Sequence, residues 1–148
     1  MTTTATPIFA QTPFATTLTL AAQTACTTRA PTATASLSGA NIIQFVNTST
    51  NGTRIDTIQV NACGTSMTTA NAANLVGIWI WDGTTAFLIN EISVIAVTPS
   101  ATSGAFTTTY TFTQPLNLPS TYKLYASVGV TTTATGTALQ VTAFGGLY

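Results

Sequence analysis

The chain is nearly devoid of ionisable side chains. It has no histidine, and its three basic and three acidic residues make up 4% of 148 residues, whereas an ordinary soluble domain carries roughly 25%. Without histidine, a zinc site, a Ser-His-Asp triad and a histidine general base all lack their central group. Three scattered cations cannot neutralise a row of phosphates. The composition predicts a non-enzymatic protein without metal, cofactor or nucleic-acid partner.

Long apolar runs are also missing. The longest wholly apolar run is "LVGIWIW", residues 75–81, whereas a membrane-spanning helix needs about 20 residues. The first 25 residues have neither a basic start nor a continuous apolar core, so we expect no cleaved secretory signal. The sequence therefore predicts no membrane partner.

Cysteine is scarce, with Cys26 and Cys63 as the two examples. Neither lies in a Cys-x-x-Cys motif, which argues against a metal or redox site. One bridge between them could stabilise the fold by about 3–4 kcal/mol. The alternative, which we favour, is two reduced and partly buried thiols.

What the chain has in abundance is threonine and apolar residues in short alternating segments. Hydrophobic residues reach 45%, so the chain should bury a core rather than remain disordered. From residue 37 onward we predict short strands separated by turn residues, and no convincing helix. Asn51-Gly52 is a strong turn signal, and "QPLNLPS" is expected to be a connection. The alternation in "AFTTTYTFT" predicts a strand with Phe106, Tyr110 and Phe112 on one face. With one more short segment before residue 37, about eight strands are expected. This pattern is typical of a single-domain antiparallel β-sandwich or jelly roll.

Residues 1–36 form a different kind of segment, rich in Thr and Ala and interrupted by three prolines. Each proline biases the residue before it toward extended geometry. We therefore predict an extended N-terminal arm, in which "ATTLTL" could be a short strand, followed by a β-sandwich domain at 37–148. The arm either packs on its own domain or reaches a neighbour. Its candidate contact residues are Ile8, Phe9, Pro13 and Phe14.

The stretch "WIWDGTTAFLINEI", residues 79–92, contains two of the three acidic residues. Asp82-Gly83 is typical of a tight turn, which makes the stretch a hairpin. Glu91 would then lie about 20 Å from Asp82 along the return strand, whereas the two carboxyl groups of a glycosidase lie about 5–9.5 Å apart. We predict that Asp82 is a turn residue. Glu91 should be a solvated edge charge or a partner of Lys123 or Arg54.

Trp79 and Trp81 are two residues apart, so they share one face of their strand. Large aromatic side chains most often fill a core or a subunit interface, and we predict that role for both. The alternative is a stacking platform for sugars. That alternative requires at least one of the two rings to be exposed.

A surface with so little charge is unusual for a free monomer, because charge normally keeps proteins apart in solution. One explanation is that an assembly covers much of the surface. The other is a surface rich in Thr and Asn that stays hydrated through its hydroxyl and amide groups.

Several segments together resemble a known group of proteins. They are "NGTRIDTIQVNACGTS", "IWIWDGTTAFLINEISV", "TPSAT", "LNLPSTYKLYASVGV" and the ending "VTAFGGLY". The chain is similar, from about Pro7 to Tyr148, to small proteins encoded among the structural genes of tailed bacteriophages. Those proteins are read as head decoration (cement) or tail-associated components. Many of them end in Gly-Gly-acid-aromatic, and here Leu147 replaces the acid.

The resemblance implies a virion structural protein with a β-sandwich fold. Its expected partner is the major capsid protein, and its expected place is the capsid surface after assembly in the host cytoplasm. A short domain without stalk repeats favours the head, where a homotrimer would clamp neighbouring capsomers. The alternatives are a tail or fibre component and a carbohydrate-binding β-sandwich module.

Overall fold

The computed structural model describes residues 12–64 and 69–148. Within these ranges the chain forms nine β-strands and a short 3-10 helix at Thr34–Ser36. The strands are β1 (Thr12–Leu20), β2 (Thr32–Ala33), β3 (Ile43–Asn47), β4 (Thr53–Ala62), β5 (Asn74–Trp81), β6 (Thr85–Val94), β7 (Thr107–Leu118), β8 (Lys123–Val128) and β9 (Leu139–Leu147).

The strands form two antiparallel sheets that pack against each other. One sheet has the order β1-β9-β4-β7, and the other has the order β2-β6-β5-β8-β3. Apart from the two-residue β2, this is the double Greek-key arrangement of an eight-stranded jelly roll. The all-β sandwich predicted from the sequence is therefore confirmed.

Most strand pairs join distant parts of the chain. β1 pairs with β9 from Thr12↔Leu147 to Leu20↔Leu139. Among the described strands, only β5 and β6 are both consecutive in sequence and directly paired. The stretch at residues 79–92 is therefore a hairpin, as predicted. The turn at Asn51-Gly52 does not form a hairpin, because it connects β3 of one sheet to β4 of the other.

The main core lies between the two sheets. It is formed by the alternate residues of each strand that point inward, and most of them are branched aliphatic side chains. In β4 these are Ile55, Ile58 and Val60, and in β5 they are Val76 and Ile78, all fully buried. Phe106, Tyr110 and Phe112, predicted to share one face, all pack against this core.

A second apolar cluster covers the opposite face of the five-stranded sheet. Trp79 and Ala86 provide its sheet side, and Leu37 and Ile42 provide its cover. The cover comes from the chain between β1 and β3, which also bonds to the sheet through the Cys26 N–H and the Val128 carbonyl, at 2.7 Å. The five-stranded sheet thus has an apolar layer on each face.

Residues 12–36 of the predicted arm pack on the same sandwich as residues 37–148. Residues 12–20 form an edge strand that is longer than the short segment predicted, and residues 21–36 contribute to the second cluster's cover. The arm's remaining residues, 1–11, lie outside the described residues.

β7 is longer than predicted. The segment "QPLNLPS" was expected to be a connection, but β7 continues through Pro115 to Leu118. Because β7 is at the edge of its sheet and Pro115 is exposed, the missing N–H of Pro115 removes no ladder bond from a central pair. The pairing with β4 is irregular here, with a register shift between Ile55 and Thr57.

In the described part of the chain, no helix is long and apolar enough to cross a membrane.

Candidate docking surface

The few charges of the described residues are largely satisfied within the chain. Arg29 Nε lies 2.8 Å from Glu91 Oε1, and Arg54 Nε lies 2.9 Å from Asp56 Oδ1. Glu91 is an exposed charge on β6, which is one of the two predicted alternatives. The other alternative, a pair with Lys123 or Arg54, is wrong, because residues 21–31 bring Arg29 across β6. Hydrogen bonding and attraction from Asp56 raise the pKa of Arg54.

Two more charged residues, Asp82 and Lys123, interact with groups at or near the hairpin turn. Asp82 Oδ1 accepts hydrogen bonds from the N–H groups of Thr84 and Thr85, both at 2.8 Å, which confirms its role as a turn residue. Gly83 follows with φ of 109°, a conformation that glycine adopts without strain. Lys123 Nζ lies 5.0 Å from the centroid of the Trp81 ring, within cation–π range.

The two tryptophans share one face, as predicted, but their environments differ. Trp79 is 1% exposed and donates its indole N–H to Ser127 Oγ at 2.9 Å. Trp81 is partly buried and donates to Thr34 Oγ1 at 2.9 Å. Trp79 is therefore a core residue and offers no open ring face for a sugar. One side of Trp81 is occupied by Lys123.

The other predicted contact residues are dispersed. Pro13 is exposed on β1 opposite Gly146, and Phe14 is half-buried against the main core. Ile8 and Phe9 lie outside the described residues. The structure therefore does not bring Pro13 or Phe14 together with the tryptophans, which are on the other sheet.

Cys26 and Cys63 are free thiols, both partly buried. This is the arrangement that we favoured over a bridge. Burial raises the pKa of the Cys63 thiol, which reduces its thiolate fraction at neutral pH. Within residues 12–64 and 69–148, no three His, Cys, Asp or Glu side chains group closely enough to hold a metal ion.

The outward face of the four-stranded sheet is mostly polar, although Phe144 of β9, which pairs with Thr57, is 40% exposed there. One row across it runs from Thr17 through Thr142 and Gln59 to Thr109. The Oγ1 atoms of Thr17 and Thr142 are 3.0 Å apart and hydrogen-bonded. This face offers hydroxyl and amide groups to water, which agrees with the hydrated surface considered from the sequence.

The apolar surface lies instead along the free edge of β6, which the sequence reasoning missed. β2 pairs with β6 only at Ala86 and Thr85. From Phe87 to Val94 no described strand continues the sheet beyond β6. We call this stretch the β6 edge. Phe87 lies opposite Ile80 and faces the other sheet, yet it is 40% exposed, because no described strand pairs with β6 beside it.

Ile89 is a second exposed apolar residue at the β6 edge, also 40% exposed. The β5–β6 register shifts at this point, since Ile78 pairs with Asn90 and Trp79 pairs with Leu88. Ile89 is therefore the extra residue of a bulge, and a bulge redirects its side chain. The available signal was the run "AFLI", whose apolar residues do not alternate as on a strand with one solvated face.

The other sheet edges are better protected. β1 and β7 each carry a proline, Pro13 and Pro115, and β3 has only five residues. Prolines and short strands are common ways to block pairing with another chain. Among the described edge strands, only β6 carries large apolar side chains that are at least 40% exposed.

Comparison of the chain with protein-family models finds no match, and neither the comparison with curated proteins nor that with solved structures finds a similar protein.

Proposed function

We propose that the protein is a non-enzymatic virion structural protein, a decoration or cement protein that binds an assembled capsid shell. In this proposal it acts as a homotrimer at the capsid surface and holds neighbouring capsomers together. Its partner is the major capsid protein, and it needs neither a cofactor nor nucleic acid. The proposal rests on the bacteriophage resemblance for its biological setting and on the β6 edge for its mechanism.

The β6 edge is the observation that carries the proposal. An unpaired strand edge presents a row of N–H and C=O groups that an extended segment of another protein can complete. Proteins normally block such edges, because they promote unwanted pairing. An edge that instead carries exposed Phe87 and Ile89 fits a surface that a partner covers.

The low charge supports the same mode of binding. Arg29 and Arg54 already have carboxylate partners in the chain, so little charge is left to steer a partner. Main-chain hydrogen bonds and apolar burial would provide the affinity, and ionic strength would affect it weakly. A ligand that binds only the assembled shell stabilises that shell by mass action.

The jelly-roll fold agrees with the proposal without singling it out. The same architecture occurs in viral capsid proteins and in lectin domains, and a fold alone does not define a function. The test therefore has to address the edge itself.

A charge placed on the β6 edge provides that test. Ile89→Lys adds a cation where a docked strand would lie, and Thr109→Lys adds the same cation on the polar face of the other sheet. Both positions are exposed, so both variants should fold, as circular dichroism can verify. We expect Ile89→Lys to lose co-sedimentation with purified shells, whereas Thr109→Lys retains it. Equal binding by both variants would refute the edge as the docking surface.

The N-terminal residues need a separate variant. A deletion of residues 1–11 leaves the whole of β1 in place, because β1 begins at Thr12. If the segment reaches a shell subunit, this deletion should weaken shell binding while the unfolding midpoint stays unchanged. Normal binding by the truncated protein would restrict docking to the folded domain.

The virion assignment itself is tested by copy number. Quantitative mass spectrometry of purified particles would count this chain against the major shell protein. One copy per shell subunit, or one per few subunits, supports decoration. A handful of copies per particle would favour a tail or fibre component, and absence from particles would refute the assignment.

A further inference from the structure

A cavity of about 530 Å³ lies on the outer face of the five-stranded sheet, beside the β6 edge. Residues 26–29 cross the sheet at one side of it, and the chain after β8 borders it at another. Its volume is within the roughly 300–1,000 Å³ of typical small-molecule sites. The cavity is open on one side and does not include the β6 edge residues Phe87 and Ile89.

Gly77 creates the space. On the outer face of β5, Gly77 lies between Leu75 and Trp79 and has no side chain. Across the sheet it pairs with Glu91 of β6 on one side and with Ser127 of β8 on the other. A carboxylate and a hydroxyl group therefore flank a position where only backbone atoms are present. A Cβ at Gly77 would lie 2.6 Å from Ser127 Oγ, so any other residue would close the gap.

The polar groups around this gap retain unused hydrogen-bonding capacity. Among the described residues, Arg29 bonds Glu91 through Nε and Oε1 alone, which leaves the two Nη groups and Oε2. Ser127 is 4% exposed, and its hydroxyl accepts the Trp79 N–H. Within the described residues, that hydroxyl donates no hydrogen bond of its own.

The other residues that line the cavity are partly apolar and partly polar, and the polar ones are Thr27, Thr28 and Asn74. Leu75, Leu88 and Val130 border the cavity, and Val130 is 49% exposed. Unlike Ser127, Asn74 already uses both its side-chain oxygen and its side-chain nitrogen in hydrogen bonds within the protein. Its Oδ1 accepts the N–H groups of Leu75 and Val130, and its Nδ2 donates to the Val130 carbonyl.

We propose that this cavity binds a neutral polyhydroxylated ring, that is, one sugar residue of a glycan. Hydroxyl groups can donate to Glu91 and accept from Arg29 in the same molecule, and the C–H face of a sugar can pack on Leu88. An anionic ligand would face Glu91, and a cationic ligand would face Arg29, so the paired charges disfavour both. The site shares Leu88 and Glu91 with the β6 edge, but it differs from the exposed-ring platform considered from the sequence.

The test is an NMR titration of the isolated protein with single sugars. The neutral probes are glucose, galactose, mannose and N-acetylglucosamine, and the charged probes are glucuronate and glucosamine. We expect at least one neutral sugar to cause saturable shifts of the Gly77, Ser127 and Gly129 amides. If no neutral sugar binds with a Kd below about 10 mM, the proposal is overturned. Equal or tighter binding of a charged probe also overturns it.

Two variants locate the site. Ala73→Trp places a large ring at the exposed border of the cavity and should abolish the shifts, while Thr109→Trp, its control on the other sheet, should not. Glu91→Ala should weaken binding roughly tenfold, equivalent to about 1.4 kcal/mol, and it breaks only a largely exposed ion pair. Unchanged affinity in Ala73→Trp would overturn the assignment to this cavity.

Discussion

Trp79 and Ser127 are linked by a buried hydrogen bond between neighbouring strands of the five-stranded sheet. The indole N–H of Trp79 on β5 donates to Ser127 Oγ on β8 at 2.9 Å. Gly77 makes the arrangement possible, because a Cβ there would lie 3.0 Å from Trp79 Nε1 as well as against Ser127. The three residues thus fix where the indole lies and leave the cavity beside it open.

Replacing Trp79 by Phe should destabilise the fold more than the same change at Trp81. The buried Ser127 hydroxyl would lose its partner and a cavity would form, at a combined cost of about 2–4 kcal/mol. Trp81→Phe loses a hydrogen bond to Thr34 at an exposed position, which should cost less than about 1 kcal/mol. Urea unfolding of both variants measures the difference. Equal destabilisation would contradict the core role assigned to Trp79.

Gly145→Ala should be strongly destabilising. A Cβ at Gly145 would collide with the backbone carbonyl of Arg54, where β4 is irregular. Backbone cannot move aside as a flexible side chain can, so we expect a loss of about 3 kcal/mol or more. Gly104→Ala is the control, because nothing lies within 4 Å of its added Cβ. Thermal or urea unfolding checks both, and a tolerated Gly145→Ala would contradict the close approach.

The turn at Asp82 should make stability depend on pH. Hydrogen bonds from the Thr85 and Thr84 N–H groups and the Thr84 hydroxyl hold the pKa of Asp82 below its ordinary value. Because the folded-state pKa is the lower one, the stabilisation is complete above the unfolded value of about 3.9 and is lost as pH falls through the folded pKa.

Asp82→Asn isolates this contribution, since Asn can keep the turn geometry but does not titrate. We expect the difference in the free energy of unfolding between wild type and Asp82→Asn to shrink as pH is lowered from about 6 to about 2. Unfolding titrations at several pH values measure it. A difference that is constant over this range would contradict the lowered pKa.

Cys63 should react slowly with alkylating reagents in the native protein. Burial raises the pKa of its thiol, and the thiolate is the reactive form. Mass spectrometry after timed alkylation should show slower modification at Cys63 in the folded protein than in guanidinium, with the native rate rising as pH increases. A peptide joined through Cys26 and Cys63 would contradict the free thiols of the structure.

Local features of the fold were predictable from the sequence. The hairpin at residues 79–92, the turn role of Asp82 and the alternation in "AFTTTYTFT" all depend on neighbouring residues, and the structure confirms them. The continuation of β7 through Pro115 was not predictable, because a proline is tolerated in a strand only at an edge, and the edge is known only from the sheet order.

The two candidate surfaces also could not be predicted from the sequence, because they depend on the sheet order and the strand register. Phe87 and Ile89 are apolar residues on a strand, and nothing local shows that the strand beside them ends at Ala33. The partner of Glu91 is Arg29, which is 62 residues away. The cavity row of Glu91, Gly77 and Ser127 requires the register of three strands at once.

The sequence by itself determined that this protein is an all-β domain with very little charge, because alternation and composition act residue by residue. It also determined the hairpin at residues 79–92, since a turn between two adjacent strands is a local event. The tertiary structure alone decided which strands became edges, which face of the tryptophan strand was covered and which charges met. Those outcomes follow from pairings such as Thr12 with Leu147, where the energy comes from contacts between residues far apart in the chain.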